Sequence, residues 1–429
     1  LGITGLEPWF TEKIPFIPTQ KSMVVIGAGL AGMSVALEAH GRGWQVTILE
    51  SGAQLGAGAS GNPVACLYPA VASEENTAVG LSELGMRLLR ARFIEWGEKF
   101  VRGEDYDDAG VIALCGINPG AEKLRARYQK AAQLYPHRYE YLTQKRASQL
   151  AKADVSSDGL WLKNGGWLKP LSFLQSASLS ISGVSGEKNK LIFGVKCLDL
   201  HRLDDQWQVT GKINGEYHRW QASCVVVCGG YQTRDFKQLK WLRTFPVAGQ
   251  VDMYHPTTST ESIKLPLCYE GYLSPPVAKG LHITGATFRM GSDNKDISYA
   301  DSLCIRGHIT DLLKQPSITQ PVMSRCSVRA TSPDATPVVG FVVKETEFWR
   351  DYGQISKGYA ESYLPRAETE VGLYVVTGLG ARGALFAPAA AHLLLKQIHG
   401  ELTDEERSLM ARLNGARYLL RQIKKISVK

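Results

Sequence analysis

Residues 22–50 read SMVVIGAGLAGMSVALEAHGRGWQVTILE, and this stretch decides the fold. SMVVI (22–26) is a short, apolar, β-branched run, and GAGLAG (27–32) follows it. MSVALEAHGRG then reads as a helix and WQVTILE (44–50) as a second strand, so the whole is a βαβ unit with a glycine-rich first turn. Gly27 permits the tight turn, Gly29 lets backbone approach a diphosphate, and Gly32 lets the helix pack on the strand. Leu30 and Ala31 open the helix, whose free N–H groups and positive dipole end suit an anion. Glu50 closes the second strand with Ser51 beside it, placed to accept ribose hydroxyls; a carboxylate there disfavours a 2′-phosphate. The competing reading is a glycine-rich turn used only for packing; both strands and the acid favour a bound dinucleotide.

Two further turns decide which dinucleotide. VVVCGG (225–230) brings Cys228 and Gly229 to a strand end, and VVTGLGARG (375–383) does the same for Gly378, Gly380, Arg382 and Gly383. Between Gly52 and Gly61 runs a loop of small residues, continuing into GASGNPVACLYPA (58–70), where Ser60 and Asn62 suit close approach to a flat ring. One nicotinamide fold does not need three glycine turns so far apart. An FAD laid full-length across the domain does.

Composition sets the bounds. A chain of 429 residues suggests two or three domains at roughly 150 each. Hydrophobic residues at 44% and charged ones at 21% exclude disordered, collagenous and coiled-coil classes. The net charge of +8 is compatible with a polyanionic partner without demanding one. Of the 8 cysteines only Cys224 and Cys228 lie close in sequence, and the 9 histidines form no H-E-x-x-H pattern. We therefore expect reduced thiols, a cytoplasmic setting and no metal. Glu7, Glu12 and Lys13 break up any signal peptide, and the longest apolar run, Leu385 to Leu395, is too short for a bilayer, so no membrane is expected. Starting at Leu1 rather than Met, the chain reads as cut from something longer.

Along the chain, residues 1–20 carry prolines without periodicity and read as a linker. Residues 21–100, 165–235 and 326–429 read as a discontinuous nucleotide-binding domain. Residues 101–164 and 236–325 read as a second, strand-rich substrate domain. Helices are expected over 81–100, 121–134 and 168–181, and three antiparallel or mixed strands over 191–230.

The order GAGLAG, ILES, ASGN, GGWLKP, VVVCGG, SVRATSPDATPVVG, GLGARGALFAP resembles the FAD-dependent amino-acid oxidase superfamily, the glycine oxidase and D-amino-acid oxidase group. The resemblance implies an α/β fold: a Rossmann-like FAD-binding domain of glutathione-reductase type with a strand-rich substrate domain. GASGNPVACLYPAV (58–71), the R-A-x-x-x-D-x-x-P-x-x-G run from Arg329 and the basic C-terminus are most similar to a tRNA-modifying branch. There the flavin domain follows an S-adenosylmethionine-dependent methyltransferase domain. This implies oxidative removal of the carboxymethyl group from 5-carboxymethylaminomethyl-(2-thio)uridine at the tRNA wobble position. The products are aminomethyl-uridine and glyoxylate, with dioxygen reoxidising the FAD. The alternatives are an oxidase for free glycine, sarcosine or D-amino acids, and an RNA-binding module with a structural FAD.

Arg329 is the candidate carboxylate clamp, since guanidinium grips a carboxylate bidentately, and it matches the substrate-carboxylate arginine of glycine oxidase. Its competing role is a structural ion pair with Asp334 or another acid. Arg382 follows the last glycine turn and is the second catalytic candidate. Asp334 and Pro337 are expected to shape a turn, and Trp167 and Tyr68 to pack in the core or border the ring. No residue presents itself as a general base. Thr403 to Glu406 reads as a helix capping box, and Leu409, Leu413, Ala416, Leu420 and Ile423 as an apolar stripe. Residues 407–429 carry seven basic residues and no acid, and Arg417, Arg421, Lys424 and Lys425 are expected to meet tRNA phosphates.

Overall fold

The computed structural model describes residues 8–12, 15–18, 20–72, 74, 76–182, 189–277, 279–314, 320–359 and 364–426. The remaining parts of the expected linker, and Lys429, lie outside the described residues.

The opening βαβ unit forms as read: strand Ser22–Ile26, helix Leu30–Gly41 and strand Gln45–Leu49, the two strands parallel. A six-stranded sheet grows from it, in the order Val338–Val343, Thr369–Thr377, Cys224–Val227, Ser22–Ile26, Gln45–Leu49, Lys190–Ile192. Its pairs are parallel except at the Val338–Val343 edge. Cys224–Val227 and Val338–Val343 are buried along their whole length, as strands covered on both faces must be. Helices Leu30–Gly41, Thr77–Trp96, Pro170–Ser182 and Gly383–Ile398 contribute to the same apolar core.

The stretch 191–230 resolves into an antiparallel meander, Lys196–Leu203, Gln206–Ile213 and Glu216–Ala222, followed by the parallel strand Cys224–Val227. Asn214 and Gly215, both at positive φ (51° and 90°), make the second hairpin turn, the residue pair that a two-residue loop of this hand favours.

A second sheet of nine described strands carries the other half of the molecule. Its long central strand, Phe245–Tyr254, pairs with Met323–Thr331 on one side and with His282–Gly285 and Arg289–Met290 on the other. Strand Met323–Thr331 therefore lies wholly in this sheet, so a boundary at residue 326 cuts through a continuous strand. Helix Tyr299–Leu312 also interrupts the stretch expected to be strand-rich. Ser302, Ile305, Ile309 and Leu312 form its buried stripe, a helical spacing present in the sequence but masked by surrounding strand and proline signals.

Residues 8–12 and 15–18 do more than connect. Trp9, Phe10 and Phe16 are buried in the nucleotide-domain core, and Phe10 stacks on Phe341 with ring centroids 5.5 Å apart.

Candidate active site

A cavity of about 860 Å³ runs from the first glycine turn, along the C-terminal ends of the parallel strands, to the face of the second sheet. That is where an open α/β sheet places its ligand. Every expected FAD-binding residue lines it except Gly32: Gly27, Gly29, Leu30 and Ala31 from the first turn; Glu50 and Ser51 from the second strand; Ser60 and Asn62 from the small-residue loop; Cys228 and Gly229, then Gly378, Gly380, Arg382 and Gly383, from the later turns. Gly32 instead packs the helix on the turn, since a Cβ there would lie 1.8 Å from the Gly27 carbonyl oxygen.

The cradle fits a dinucleotide. Gly27 holds φ at +104°, and a Cβ on it would lie 2.7 Å from the Cys228 carbonyl oxygen. The first two glycine turns thus touch through backbone alone. Glu50 accepts N–H bonds from Ala28 and Gly52, both 2.7 Å, so its carboxylate is fixed at the mouth of the turn, where ribose hydroxyls would meet it. Ser60 accepts the Leu30 N–H at 2.9 Å, tying the small-residue loop to the helix N-terminus.

That loop is held from the other sheet by a residue the sequence reading missed. Arg325 donates to the carbonyls of Gly58 (2.8 Å) and Gly56 (3.3 Å) and to the Asn62 side-chain oxygen (3.3 Å), which also accepts from Ser327. Arg325, Ser327 and Arg329 alternate on one strand face, and that period of two was the available signal.

Arg329 stands farther along the same face. Its guanidinium lies 4.4 Å from the ring centroid of exposed Phe288 and donates to the Thr287 carbonyl at 3.1 Å. Among the described residues it makes no salt bridge; the anticipated alternative, a pair with Asp334, does not form. A Cβ on Gly249 would lie 1.9 Å from Arg329 Nη2, so the side chain lies across bare backbone. Tyr272, from the short strand Tyr272–Leu273, lines the cavity near Arg329 and donates to the Val64 carbonyl at 3.3 Å. Burial pushes the Tyr272 phenol up, so it stays a neutral hydroxyl. No motif marked Tyr272.

Arg382 lies 5.7 Å over the Tyr68 ring, and its buried Nε has no hydrogen-bond partner among the described residues. Tyr68 does border the cavity, whereas Trp167 is 2% exposed and packs with Val64, Val251 and Ile283 in a separate core.

The C-terminal expectation needs correction. The basic stretch is two helices, Asp404–Leu413 and Arg417–Ile426, the first opened by the Thr403/Glu406 capping box. Arg417 is only 5% exposed: it bonds Asp334 and the carbonyls of Thr336, Leu413 and Asn414, so it cannot meet phosphate. Arg421 also donates to Asp334, at 2.6 Å, though half its side chain remains in solvent. Lys424 and Lys425 are exposed. The acid that claims both arginines lies in the Ser332–Thr336 turn, far away in sequence. Helical periodicity could not reveal it.

Among the described residues, no helix is long and apolar enough to cross a membrane, and no cluster of three or more His, Cys, Asp or Glu could hold a metal ion.

Residues 22–397 match the family described as FAD dependent oxidoreductase. The bifunctional tRNA 5-methylaminomethyl-2-thiouridine biosynthesis protein MnmC of Pseudomonas fluorescens (strain Pf0-1) is 30% identical over 426 residues, covering 97% of this chain and 62% of that protein. The counterpart from Stutzerimonas stutzeri is 28% identical with the same coverage. The chain thus spans about three fifths of the length of these curated relatives, 62% in both cases. Among solved structures, glycine oxidase from Geobacillus kaustophilus superposes with a TM-score of 0.72 at 17% identity, covering 89% of this chain and 95% of that one. L-proline dehydrogenase from P.horikoshii gives 0.70 at 15%, covering 94% and 99%. With its glycine turns, acid-closed strand and second sheet arranged around one cavity, the chain belongs to the FAD dependent oxidoreductases.

Proposed function

We propose that this chain oxidises the carboxymethylamino group of 5-carboxymethylaminomethyl-(2-thio)uridine at the tRNA wobble position, releasing glyoxylate and leaving aminomethyl-uridine. The observation that carries the reading is Arg329: a cavity-lining guanidinium with no carboxylate partner among the described residues, beside a neutral tyrosine hydroxyl. The names of the MnmC relatives support the nucleic-acid substrate.

A bound FAD would supply the hydride acceptor for the carbon between carboxylate and nitrogen, and water would hydrolyse the resulting substrate imine to glyoxylate and the free amine. The protein's part is to orient that carbon. Arg329 would grip the substrate carboxylate, with Phe288 behind the guanidinium limiting its movement. Tyr272 would add a hydroxyl, and Arg382, whose Nε has no hydrogen-bond partner among the described residues, would offer a further donor from the cavity lining. Gly27 to Gly32, Glu50 and the two later glycine turns would hold the dinucleotide. Exposed Lys424 and Lys425, with the solvent-facing half of Arg421, would meet tRNA phosphates. Dioxygen would be the electron acceptor, a methyltransferase domain the fused partner, and the cytoplasm the setting.

Mass spectrometry of tRNA nucleosides after incubation with purified holoprotein tests this. Conversion of carboxymethylaminomethyl-uridine to aminomethyl-uridine is expected; unchanged nucleosides alongside oxidation of free glycine or sarcosine would replace it with a small-molecule oxidase.

A further inference from the structure

The sulfurs of Cys66 and Cys268 lie 3.5 Å apart, although the residues are 202 positions apart in sequence. Among the described residues, no other pair of cysteine sulfurs comes within hydrogen-bonding distance. Cys66 belongs to strand Ala65–Leu67, which follows the small-residue loop and pairs with Gly166–Leu168. Cys268 belongs to Leu267–Cys268 of the second sheet, where it pairs directly with Tyr272. Both line the cavity, Cys66 half-buried and Cys268 7% exposed. The contact therefore joins the loop region of the nucleotide half to the substrate sheet, next to the tyrosine that borders Arg329.

We propose that Cys66 and Cys268 are a redox pair that closes to a disulfide across the cavity wall when hydrogen peroxide reaches it. Peroxide is the oxidant by chemical class, and the proposed dioxygen-dependent reaction, on which this source of it rests, would release it into the cavity that these thiols line. The Cys66 sulfur, the more open of the two, attacks one peroxide oxygen. The O–O bond breaks, water leaves, and Cys66 becomes a sulfenic acid. The Cys268 sulfur then displaces the hydroxyl from Cys66, forming the S–S bond and releasing a second water. Two thiols and one peroxide give one disulfide and two waters, the two electrons passing from the sulfurs to the oxygens. Contact between the sulfurs makes the second step intramolecular, so it outruns further oxidation of Cys66 to sulfinic acid. Closure shifts both strands that carry the pair, and with them Tyr272. Accumulated peroxide would thereby throttle the site that produces it.

The test uses holoprotein treated with a graded series of peroxide, quenched with an alkylating agent and digested. Cys304, exposed on helix Tyr299–Leu312, serves as the internal reference for general oxidation. The expected result is a crosslinked peptide joining Cys66 to Cys268, lighter by two hydrogens and restored by dithiothreitol. It should form at peroxide levels that leave Cys304 reduced, and titratable thiols in denaturant should fall from 8 to 6. Cys66→Ser and Cys268→Ser should each abolish the crosslink. Cys66 found as sulfinic acid without a crosslink, or both thiols still free once Cys304 is oxidised, overturns the proposal. Neither readout depends on tRNA, so failure here is separable from failure of the proposed substrate.

Discussion

Asp334 and Arg417 face each other across 83 residues of sequence, with Nη2 3.2 Å from the carboxylate, and the pair fastens the C-terminal helix to the turn that follows the Arg329 strand. The Tyr418 hydroxyl (2.8 Å) and Arg421 (2.6 Å) bond the same acid. Burial opposes ionisation of Asp334, but the bonds from Arg417, Tyr418 and Arg421 outweigh it and hold the carboxyl well below its usual range. With a depressed folded value, its contribution is complete above the ordinary 3.8 and is lost as pH falls towards that folded value. Asp334→Asn should cost about 3 kcal/mol at neutral pH by leaving Arg417 buried and unpaired. In urea titrations the wild type should lose stability more steeply than the variant below the ordinary carboxyl value. Parallel pH curves would mean that the pair does not hold the helix.

Glu12 behaves in the opposite sense. Burial raises it to about 7, a rise that the Thr369 hydroxyl donating to it partly offsets. Between the ordinary 4.5 and about 7, the unfolded chain gives up a proton that the folded chain keeps, so stability falls as pH rises through that window. Glu12→Gln should flatten this slope, read as the denaturation midpoint against pH. An unchanged slope would show that the docked residues 8–12 do not hold the acid buried.

Gly29→Val should give colourless protein. A Cβ at residue 29 would lie 2.9 Å from Ser60 Oγ, the atom that accepts the Leu30 N–H, so both the loop and the diphosphate site would be disturbed. Flavin occupancy, read from the visible spectrum against protein concentration, checks it. Full occupancy in the variant would displace the diphosphate from this turn.

The nucleotide half was readable because its signals are local. A glycine turn needs a few adjacent residues to be recognised, and Glu50 follows at a fixed interval along the same βαβ unit. Arg325, Tyr272 and Cys268 act through partners more than a hundred positions away; the period-two spacing puts Arg325 on the Arg329 face, but nothing near Tyr272 or Cys268 in sequence announces their meetings. Arg417 failed for the same reason: its neighbours say exposed basic helix, and only Asp334 makes it a buried ion-pair residue. Helix Tyr299–Leu312 is a different case, since its buried spacing and its Ser298 cap were present but overlooked.

Replacing Lys424 and Lys425 with Gln should weaken tRNA binding in a salt-dependent way. At about 0.7–0.9 per phosphate contact, losing two should flatten the slope of log affinity against log salt by roughly 1.5 units. FAD content should not change, because the glycine turns lie in other segments. Equal slopes in anisotropy measurements across a salt series would remove this helix from the RNA surface.

The most direct measurement of the central claim is anaerobic reduction of the bound flavin by tRNA carrying carboxymethylaminomethyl-uridine, followed by absorbance, in wild type and Arg329→Met. The wild-type flavin should bleach with this tRNA far faster than with free glycine. Arg329→Met should retain FAD but reduce more slowly, by an amount corresponding to about 2–5 kcal/mol for a lost contact to a desolvated carboxylate. Gly249→Ala, which pushes against the Arg329 guanidinium, should move the rate in the same direction. Reduction of Arg329→Met at the wild-type rate, or bleaching by free glycine but not by the tRNA, would contradict the central claim.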